Sequence, residues 1–217
     1  MKKLYGIGTG PGDKELLTLK AVKAMENSSV IFAPNNKGKN MAVDTARDFI
    51  ENKKIVFIDF PMGHVLKEDY KKAAEAIFKE IPEGEIGSFL TIGDPMVYST
   101  FIYIMEELEG RDIDIEIISG IPSFVAAAGE SKTPLTVKGE SFLLCDELNE
   151  ELLEKITSIA ILKTFKGKEK ILNILDSNDY CYKYIKRATL EEQEIIIDKE
   201  EILNDKDYIS LIIARKN

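Results

Sequence analysis

The sequence predicts an α/β protein of two domains, the first with a mostly parallel sheet and the second with a mixed sheet. Three observations support this fold class. In the first half, short apolar runs alternate with segments whose apolar residues recur at helical spacing. Those apolar runs are too continuous for strands with one exposed face, which is typical of parallel strands covered on both sides. The second half is richer in strand-like runs.

The first half contains five strands with helices between them. In chain order the strands are predicted at 3–7, 29–33, 55–60, 85–92 and 113–118, and the helices at 15–25, 40–50, 68–81 and 98–108. The first helix is predicted from Leu, Ala, Val and Met residues that recur at helical spacing and form one apolar stripe. Asp13 stands before it as an N-cap, because its carboxylate can accept from the free N–H groups of the first turn. Ligands of such sheets bind beyond the carboxyl ends of the strands.

The second half begins with a small-residue helix at 121–130, which the segment Thr133-Pro134 ends. Strands follow at 141–145, 159–165, 182–187, 194–198 and 208–214, with helices near 150–156 and at 168–175. The change of pattern places a boundary near 119–123. We therefore predict an N-terminal α/β domain at 1–118 and a C-terminal α/β domain at 119–217.

Composition narrows the class of protein. The chain has 217 residues, 44% of them hydrophobic and 31% charged, which is ordinary for a globular protein. It has no apolar stretch of about 18–20 residues and no signal-peptide pattern, so a cytoplasmic protein without a membrane segment is expected. The net charge of −9 argues against a nucleic-acid surface, although a small basic pocket remains compatible with it.

The sequence gives little support for a metal site or for the nucleophile of a serine hydrolase. Cys145 and Cys181 lie far apart without CxxC spacing, and we predict two reduced, partly buried thiols. With His64 as the only histidine, no zinc site of the usual kind can form, and no metal is expected. His64 also has no G-x-S-x-G nucleophile to serve.

The turn GIGTGPGD at 6–13 has four glycines in eight positions. It is not a G-x-G-x-x-G dinucleotide fingerprint, because the third glycine position holds Pro11 when the motif starts at Gly6 and Asp13 when it starts at Gly8. It is not a Walker loop either, because Asp13 follows Gly12 where that loop has lysine. The Asp13 carboxylate would also compete with a phosphate at the helix start. Two interpretations stay open: a tight connection that needs glycine conformations, or bare backbone that a ligand approaches closely. The number of glycines favours the second.

Three motifs together resemble the tetrapyrrole methyltransferase family. GIGTGPGDKELLTLKA at 6–21 resembles its opening G-x-G-P-G-D/G turn and Leu/Thr-rich helix. FLTIGDPMVYSTF at 89–101 is similar to its strand ending in GDP, and SGIPSF at 119–124 to its P-G-[IV]-[TPS]-S segment. Ser119 and Pro122 stand where the family commonly has Pro and Thr. The resemblance covers essentially the whole chain.

Within the family, other segments resemble the precorrin-2 and cobalt-precorrin-2 C20-methyltransferases. They are GDPMVYSTF, FPM at 60–62, ILKTFKG at 161–167, YIKRATLEEQEI at 184–195 and YISLIIARK at 208–216. The resemblance implies an S-adenosylmethionine-dependent C-methyltransferase that converts precorrin-2 or cobalt-precorrin-2 to (cobalt-)precorrin-3 in cobalamin biosynthesis, and we favour the cobalt form. Two alternatives stay open: a methyltransferase of the same fold acting on another precorrin carbon, and a non-catalytic S-adenosylmethionine- or tetrapyrrole-binding protein.

The resemblance also implies an assembly and a reaction. We expect a homodimer in which each chain binds the methyl donor between its N-terminal and C-terminal domains. The tetrapyrrole is expected on the side of the N-terminal domain. The reaction is an in-line displacement in which a carbon of the macrocycle attacks the methyl group of a sulfonium. The protein supplies mainly alignment. No catalytic acid or base is assigned.

Site residues carry over from the matching motifs. For the cofactor they are Pro11, Ile92, Gly93, Asp94, Val97, Ser99, Thr100, Ser123, Leu162, Lys163, Ala188, Thr189, Ser210 and Leu211. For the substrate they are Gly10, Asp13, Arg47, Met62, His64, Tyr98 and Lys166. Asp13 and Asp94 each have a second interpretation as helix or turn caps.

The expected substrate is a polycarboxylate, so an acidic protein must concentrate cations locally. The candidates are Lys37, Lys39, Arg47, His64, Lys132, Lys138, Lys163 and Lys166. For each lysine the alternative is a solvated surface cation, and for His64 a surface or capping role.

Overall fold

The structure, a computed structural model, describes residues 1–35, 40–60, 65–165 and 167–216. It divides into two compact units, Met1–Pro122 and Ser123–Asn217, called here the N-terminal and C-terminal units. Each has its own sheet and its own apolar core. The predicted boundary at 118/119 and the boundary between the units, at 122/123, both fall between the last strand of the first sheet and the next helix.

The N-terminal unit is built on five parallel strands in the order β3-β2-β4-β1-β5. The strands are β1 (Lys2–Gly8), β2 (Val30–Pro34), β3 (Lys54–Ile58), β4 (Ile86–Thr91) and β5 (Ile113–Ile118). The helices are α1 (Leu19–Glu26), α2 (Met41–Ile50), α3 (Lys67–Glu80) and α4 (Thr100–Leu108). The predicted parallel sheet is confirmed.

Alternation along the strands sends side chains to two cores. From β1, Leu4 enters a cluster with residues of α3 and α4, whereas Ile7 enters a cluster with residues of α1 and α2. Helices therefore cover both faces of the sheet. The chain leaves β1 toward β2 and leaves the adjacent β4 toward β5, in opposite directions. The carboxyl ends of β1 and β4 form the topological switch point, where open α/β sheets bind ligands.

The C-terminal unit has a five-stranded mixed sheet in the order β6-β7-β10-β8-β9. Its strands are β6 (Phe142–Cys145), β7 (Ser158–Leu162), β8 (Tyr180–Lys186), β9 (Glu194–Ile196) and β10 (Ser210–Lys216), and its helices are α5 (Ser123–Glu130), α6 (Lys168–Ser177) and α7 (Lys199–Asn204). β6 and β7 are parallel and the other pairs are antiparallel, which confirms the predicted mixed sheet.

Local differences from prediction have simple causes. The segment predicted as a helix at 15–25 starts with a short 3-10 turn, Lys14–Leu16, and α1 begins only at Leu19, because the Thr18 hydroxyl caps it by accepting from the Ala21 N–H. The helix expected near 150–156 is a 3-10 segment, Glu150–Lys155. The sequence prediction omitted α7, whose six residues are too few for a clear periodicity.

One further feature of the helices concerns membranes. Within the described ranges, each helix is too short or too polar to cross a bilayer.

Candidate functional site

The turns after β1 and β4 are joined at the switch point of the N-terminal unit. Gly10 and Gly93 form an isolated antiparallel bridge with two hydrogen bonds. The Gly10 N–H donates to the Gly93 carbonyl at 3.2 Å, and the Gly93 N–H donates to the Gly10 carbonyl at 2.7 Å. Both glycines have φ values near +70°, which other residues rarely adopt. We call this contact the glycine junction, and it includes the predicted site residues Gly10 and Gly93.

Two further glycines pack against the junction. A Cβ atom on Gly8 would lie 2.4 Å from the Gly93 carbonyl oxygen and 2.6 Å from the Gly120 nitrogen. A Cβ atom on Gly120 would lie 2.2 Å from the same Gly93 oxygen. The ends of β1, β4 and β5 thus approach so closely that only glycine fits.

This packing corrects the inference drawn from the number of glycines. The bare backbone at Gly6 accommodates the Phe101 ring, the Gly8 backbone touches other backbone, and Gly10 and Gly12 have positive φ. Contacts and conformations within the protein therefore account for all four glycines of the turn. The glycine count alone does not indicate a ligand.

Two N–H groups of the turn after β1 already donate to carbonyls of the neighbouring β4 region. The Thr9 N–H donates to the Thr91 carbonyl at 2.9 Å, and the Gly10 N–H is used in the junction. The Asp13 carboxylate accepts from the Glu15 N–H at 2.8 Å, so Asp13 caps the 3-10 turn rather than the helix predicted to follow it. The Thr45 hydroxyl on α2 also anchors the turn by donating to the Gly12 carbonyl at 3.0 Å. Sequence patterns did not indicate Thr45.

Asp94 links the turn after β4 to the exit of β5. One carboxylate oxygen accepts from the Met96 N–H at 2.8 Å, and the other accepts from the Gly120 N–H at 3.1 Å. The first bond is the turn cap that the sequence offered as an alternative role for Asp94. The second spans strands and could not be foreseen from a single motif. Both oxygens thus hold the backbone of the glycine junction in place.

The rest of this turn leads into α4. The Ser99 hydroxyl lies 3.1 Å from that of Thr91 and caps α4 by accepting from the Phe101 N–H at 3.1 Å. Pro11 is buried, the Val97 N–H donates to the Asp94 carbonyl, and Thr100 is the first helical residue. Ile92, Met96 and Tyr98 are large apolar residues with exposed side chains, and Tyr98 has a φ of 48°. The exposed apolar groups thus lie beside the glycine junction.

In the C-terminal unit, six predicted cofactor residues lie at one edge of the sheet, among them Lys163, which follows β7 directly. β7 and β8 both run antiparallel to β10, so their carboxyl ends meet the start of β10. Leu162 pairs in register with Leu211, and Ser210 with Lys186. Ala188 and Thr189 follow β8 directly. We call this region the C-terminal edge.

One face of the C-terminal edge is apolar. Ala188 and Leu211 are buried in a cluster with Ala127 of α5, and Leu162 packs against the same cluster. Ser123 is the first residue of α5, and its neighbour Phe124 also packs there. The helix and the three strand ends therefore share one small apolar core.

The backbone at this edge is unusual. Lys163, Arg187 and Thr189 have φ values of 57°, 50° and 71°. Left-handed backbone is uncommon for residues other than glycine and is a genuine outlier for β-branched threonine. Such strained residues concentrate at ligand sites, where the surrounding structure holds them in place. No composition or motif signal predicts these conformations.

A polar network that sequence patterns did not indicate lies beside this edge. Asp205 accepts from the Tyr184 hydroxyl at 2.7 Å and from the Lys186 ammonium at 2.9 Å. Burial raises the pKa of Asp205, but these two hydrogen bonds, the Asp207 N–H bond and the Lys186 charge together outweigh burial and lower it to about 2. Asp207 accepts from the Arg187 Nε at 2.6 Å. Burial raises the pKa of Asp207, but this bond, the Ile209 N–H bond and the Arg187 charge together outweigh burial and lower it.

The predicted substrate cations are only partly within the described residues. Arg47 lies on α2, where its guanidinium pairs with Asp44 and is largely exposed. The Lys163 ammonium lies 3.8 Å from an Asp146 carboxylate oxygen. Lys132 has a φ of 50° after α5, and Lys138 is exposed. The other candidates lie outside the described residues: Lys37, Lys39, Met62, His64 and Lys166.

The two thiols differ from each other. Cys145 is buried at the end of β6, and burial followed by the nearby Asp146 charge raises its pKa to about 11. Cys181 in β8 is exposed, whereas the sequence interpretation had it partly buried. Alternation along β8 explains this, since its neighbours Tyr180 and Tyr184 face the core.

Comparison with known proteins identifies relatives of the whole chain. The family model for "Tetrapyrrole (Corrin/Porphyrin) Methylases" matches residues 3–203. The chain is 37% identical to a Methanocaldococcus jannaschii protein named "Probable cobalt-precorrin-2 C(20)-methyltransferase", over 100% of this chain and 97% of the relative. It is 27% identical to the Salmonella typhimurium "Cobalt-precorrin-2 C(20)-methyltransferase", over 99% of this chain and 96% of that one.

A solved structure shares the fold. Uroporphyrin-III C-methyl transferase from Thermus thermophilus, complexed with S-adenyl homocysteine, matches with a TM-score of 0.70 at 18% identity. The match covers 98% of this chain and 97% of the solved chain.

Proposed function

Because this chain belongs to the tetrapyrrole (corrin/porphyrin) methylase family, we propose that it methylates carbon 20 of cobalt-precorrin-2 with S-adenosylmethionine, giving cobalt-precorrin-3 in cobalamin biosynthesis. The observation that carries this proposal is the end-to-end likeness to the Methanocaldococcus jannaschii relative, whose name specifies both the carbon and the metal. The Salmonella typhimurium relative has the same specification in its name and also matches nearly end to end. Both names favour the cobalt-containing substrate.

The C-terminal edge suits an S-adenosylmethionine molecule. This cofactor carries an adenine, a ribose and an amino-acid group but no phosphate, so it needs backbone polar groups and small apolar side chains rather than a basic loop. Ala188 and Leu211 fix the strand ends to a small apolar core, and the turn at Thr189 presents backbone in a strained, fixed shape. The Thermus thermophilus protein of this fold was solved with S-adenyl homocysteine, the demethylated form of this cofactor.

The residues proposed to bind the cofactor remain those carried by the motifs. In the C-terminal unit they are Ser123, Leu162, Lys163, Ala188, Thr189, Ser210 and Leu211. In the N-terminal unit they are Pro11, Ile92, Gly93, Asp94, Val97, Ser99 and Thr100. Within that second set, Asp94 and Ser99 are positioning residues, because their side-chain oxygens bond to backbone or to Thr91.

The glycine junction provides a rigid base for the transfer. S-adenosylmethionine, when bound, supplies a methyl group already activated on a sulfonium. The protein's contribution is therefore alignment and exclusion of water. Close backbone contacts among Gly8, Gly93 and Gly120 fix the ends of three strands relative to each other. The exposed side chains of Ile92, Met96 and Tyr98 offer an apolar surface on which the flat macrocycle can rest.

Substrate recognition then depends on local cations in an acidic chain. We propose that Gly10, Asp13, Arg47, Met62, His64, Tyr98 and Lys166 line the tetrapyrrole site on the N-terminal side. The Arg47 side chain is open to a carboxylate, at 70% exposure, and its partner Asp44 is also exposed. Exchanging that partner for a substrate carboxylate costs little, since exposed ion pairs contribute only about 0–1 kcal/mol.

We further propose that the protein acts in the cytoplasm as a homodimer, as the family resemblance implies. Light scattering coupled to size-exclusion chromatography measures the mass in solution. A mass of twice 24.4 kDa is expected for the dimer, and a single-chain mass at micromolar concentration would contradict it.

The function is tested by mass spectrometry of the product. Purified protein is incubated with S-adenosylmethionine and enzymatically prepared precorrin-2, with cobalt inserted or absent. We expect the cobalt-containing substrate to gain one methyl group and S-adenosylhomocysteine to form in equal amount. Omitting the protein serves as the control. If neither tetrapyrrole gains a methyl group while the protein binds the cofactor, the chain is a binding protein and the proposed activity is wrong.

A further inference from the structure

The polar network of Asp205 and Asp207 beside the C-terminal edge supports a further inference, which rests on the proposed function. We propose that Asp207 is a positioning residue for the methyl donor. Its ion pair with Arg187 holds the backbone turn at 187–189 in the conformation that binds the cofactor. The side chain itself makes bonds within the protein and does not need to touch the ligand.

The turn cannot hold its shape by its own preferences. Arg187 and Thr189 both have left-handed backbone, at φ 50° and 71°, with the buried Ala188 between them. Such residues keep this conformation only where neighbouring groups enforce it. The Thr189 N–H donates to the Gln193 side chain at 2.6 Å, which fixes the far end of the turn.

Asp207 fixes the near end of the turn. One of its carboxylate oxygens accepts from the Arg187 Nε at 2.6 Å, and the other accepts from the Ile209 N–H at 2.9 Å. The Arg187 N–H in turn donates to the Ile209 carbonyl at 2.9 Å. The Asp207 side chain and this backbone bond together hold the turn after β8 against the start of β10, where Ser210 and Leu211 lie.

Asp207 is itself held by a more deeply buried group. Its N–H donates to an Asp205 carboxylate oxygen at 2.8 Å, and the same oxygen accepts from the fully buried Tyr184 hydroxyl. Lys186 pairs with the other Asp205 oxygen. Asp205 therefore anchors the segment to β8, and this anchor persists when the pair between Asp207 and Arg187 is removed.

The pair can be broken without disturbing the rest of the network. In Asp207→Asn, the side-chain oxygen can still accept from the Ile209 N–H, but the carboxylate that accepts from the Arg187 Nε is gone. The longer contact remains, in which a Glu192 carboxylate oxygen lies 3.8 Å from the Arg187 guanidinium. We expect the Kd for S-adenosylhomocysteine, measured by calorimetry, and the KM for S-adenosylmethionine to rise about five- to thirty-fold. The kcat should stay within about twofold of the parent value, because the lost contribution is to binding in ground and transition states alike.

Asp176→Asn is the matched control. Asp176 pairs with Lys199 at 2.6 Å in the same unit, between α6 and α7. This control removes an ion pair of equal length and should leave the Kd unchanged. Arg187→Gln removes the other partner of the pair and should weaken S-adenosylhomocysteine binding by a similar factor. It replaces Asp207→Asn if that variant does not fold. The double variant should be no weaker than either single one, since both remove the same interaction.

The outcomes separate this inference from the proposed function. If the parent protein binds S-adenosylhomocysteine and both pair variants bind it within about twofold of the parent, the positioning role is wrong while the function stands. If Asp176→Asn weakens S-adenosylhomocysteine binding as much as the pair variants do, the cause is a general loss of stability, and the positioning role of Asp207 is wrong. A parent protein that binds no S-adenosylhomocysteine would overturn the proposed function together with this inference.

Discussion

The substitution Gly8→Ala should destabilise the N-terminal unit strongly. Its Cβ atom would lie 2.4 Å from the Gly93 carbonyl oxygen, 2.6 Å from the Gly120 nitrogen and 2.8 Å from the Gly120 Cα. All three are backbone atoms of neighbouring turns, so no side chain can move aside. Overpacking alone costs about 1–3 kcal/mol. Separating the turns also weakens the two hydrogen bonds between Gly10 and Gly93, at about 1 kcal/mol each.

The total of about 3–5 kcal/mol is a large part of the stability of an ordinary domain. Circular dichroism during heating measures it, with a fall in Tm of roughly 6–20 °C expected for a chain of this size. Gly129→Ala is the control, because a Cβ atom there meets nothing within 4 Å and alanine favours the helix α5. If Gly8→Ala unfolds within about 2 °C of the parent while the control is unchanged, the close packing of the glycine junction is wrong.

Three smaller predictions concern single side chains. Asp94→Asn keeps one acceptor oxygen where Asp94 uses two, so either the Met96 or the Gly120 N–H loses its acceptor, and the urea midpoint should fall by the equivalent of about 1–2 kcal/mol. An unchanged midpoint would refute the role of Asp94 in linking the two turns. Folding lowers the pKa of Asp205 from 3.8 to about 2. Ionised Asp205 therefore adds about 2 kcal/mol to the free energy of unfolding above pH 4, and this contribution disappears as the pH falls toward 2. Asp205→Asn should flatten that loss in acid unfolding curves, and parallel curves would contradict the shift. Iodoacetamide at pH 8 should modify Cys181 but not the buried Cys145 until the protein unfolds, and two modifications in the native state would contradict this burial.

The order of elements was predictable because each carries a local signal. Continuous apolar runs marked the five parallel strands, and helical stripes marked α2 and α3 within one or two residues. The start of α1 was misplaced because two capping residues compete there. Asp13 closes a 3-10 turn, and Thr18 takes the cap of the helix proper. Short elements such as α7 escaped because six residues give too little periodicity.

The candidate site was less predictable because its geometry depends on distant parts of the chain. The GDP motif predicted a turn at Asp94, but its bond to Gly120 joins residues 26 positions apart. Arg187 lies in the segment at 184–195 that carries part of the resemblance, but its partner Asp207 lies in a polar segment without a motif, so the pair between them had no sequence signal. The glycine-rich turn illustrates the opposite case, in which a visible motif suggested a ligand and the structure shows that packing and positive φ within the protein also require the glycines.

Carbon-13 nuclear magnetic resonance of the product tests the central claim most directly. The protein is incubated with cobalt-precorrin-2 and S-adenosylmethionine labelled at its methyl carbon, and the isolated tetrapyrrole is examined for the labelled group and its neighbours. The account predicts a single labelled methyl group attached to carbon 20. A label attached to any other ring carbon, or an unlabelled tetrapyrrole from active cofactor-binding protein, would contradict it.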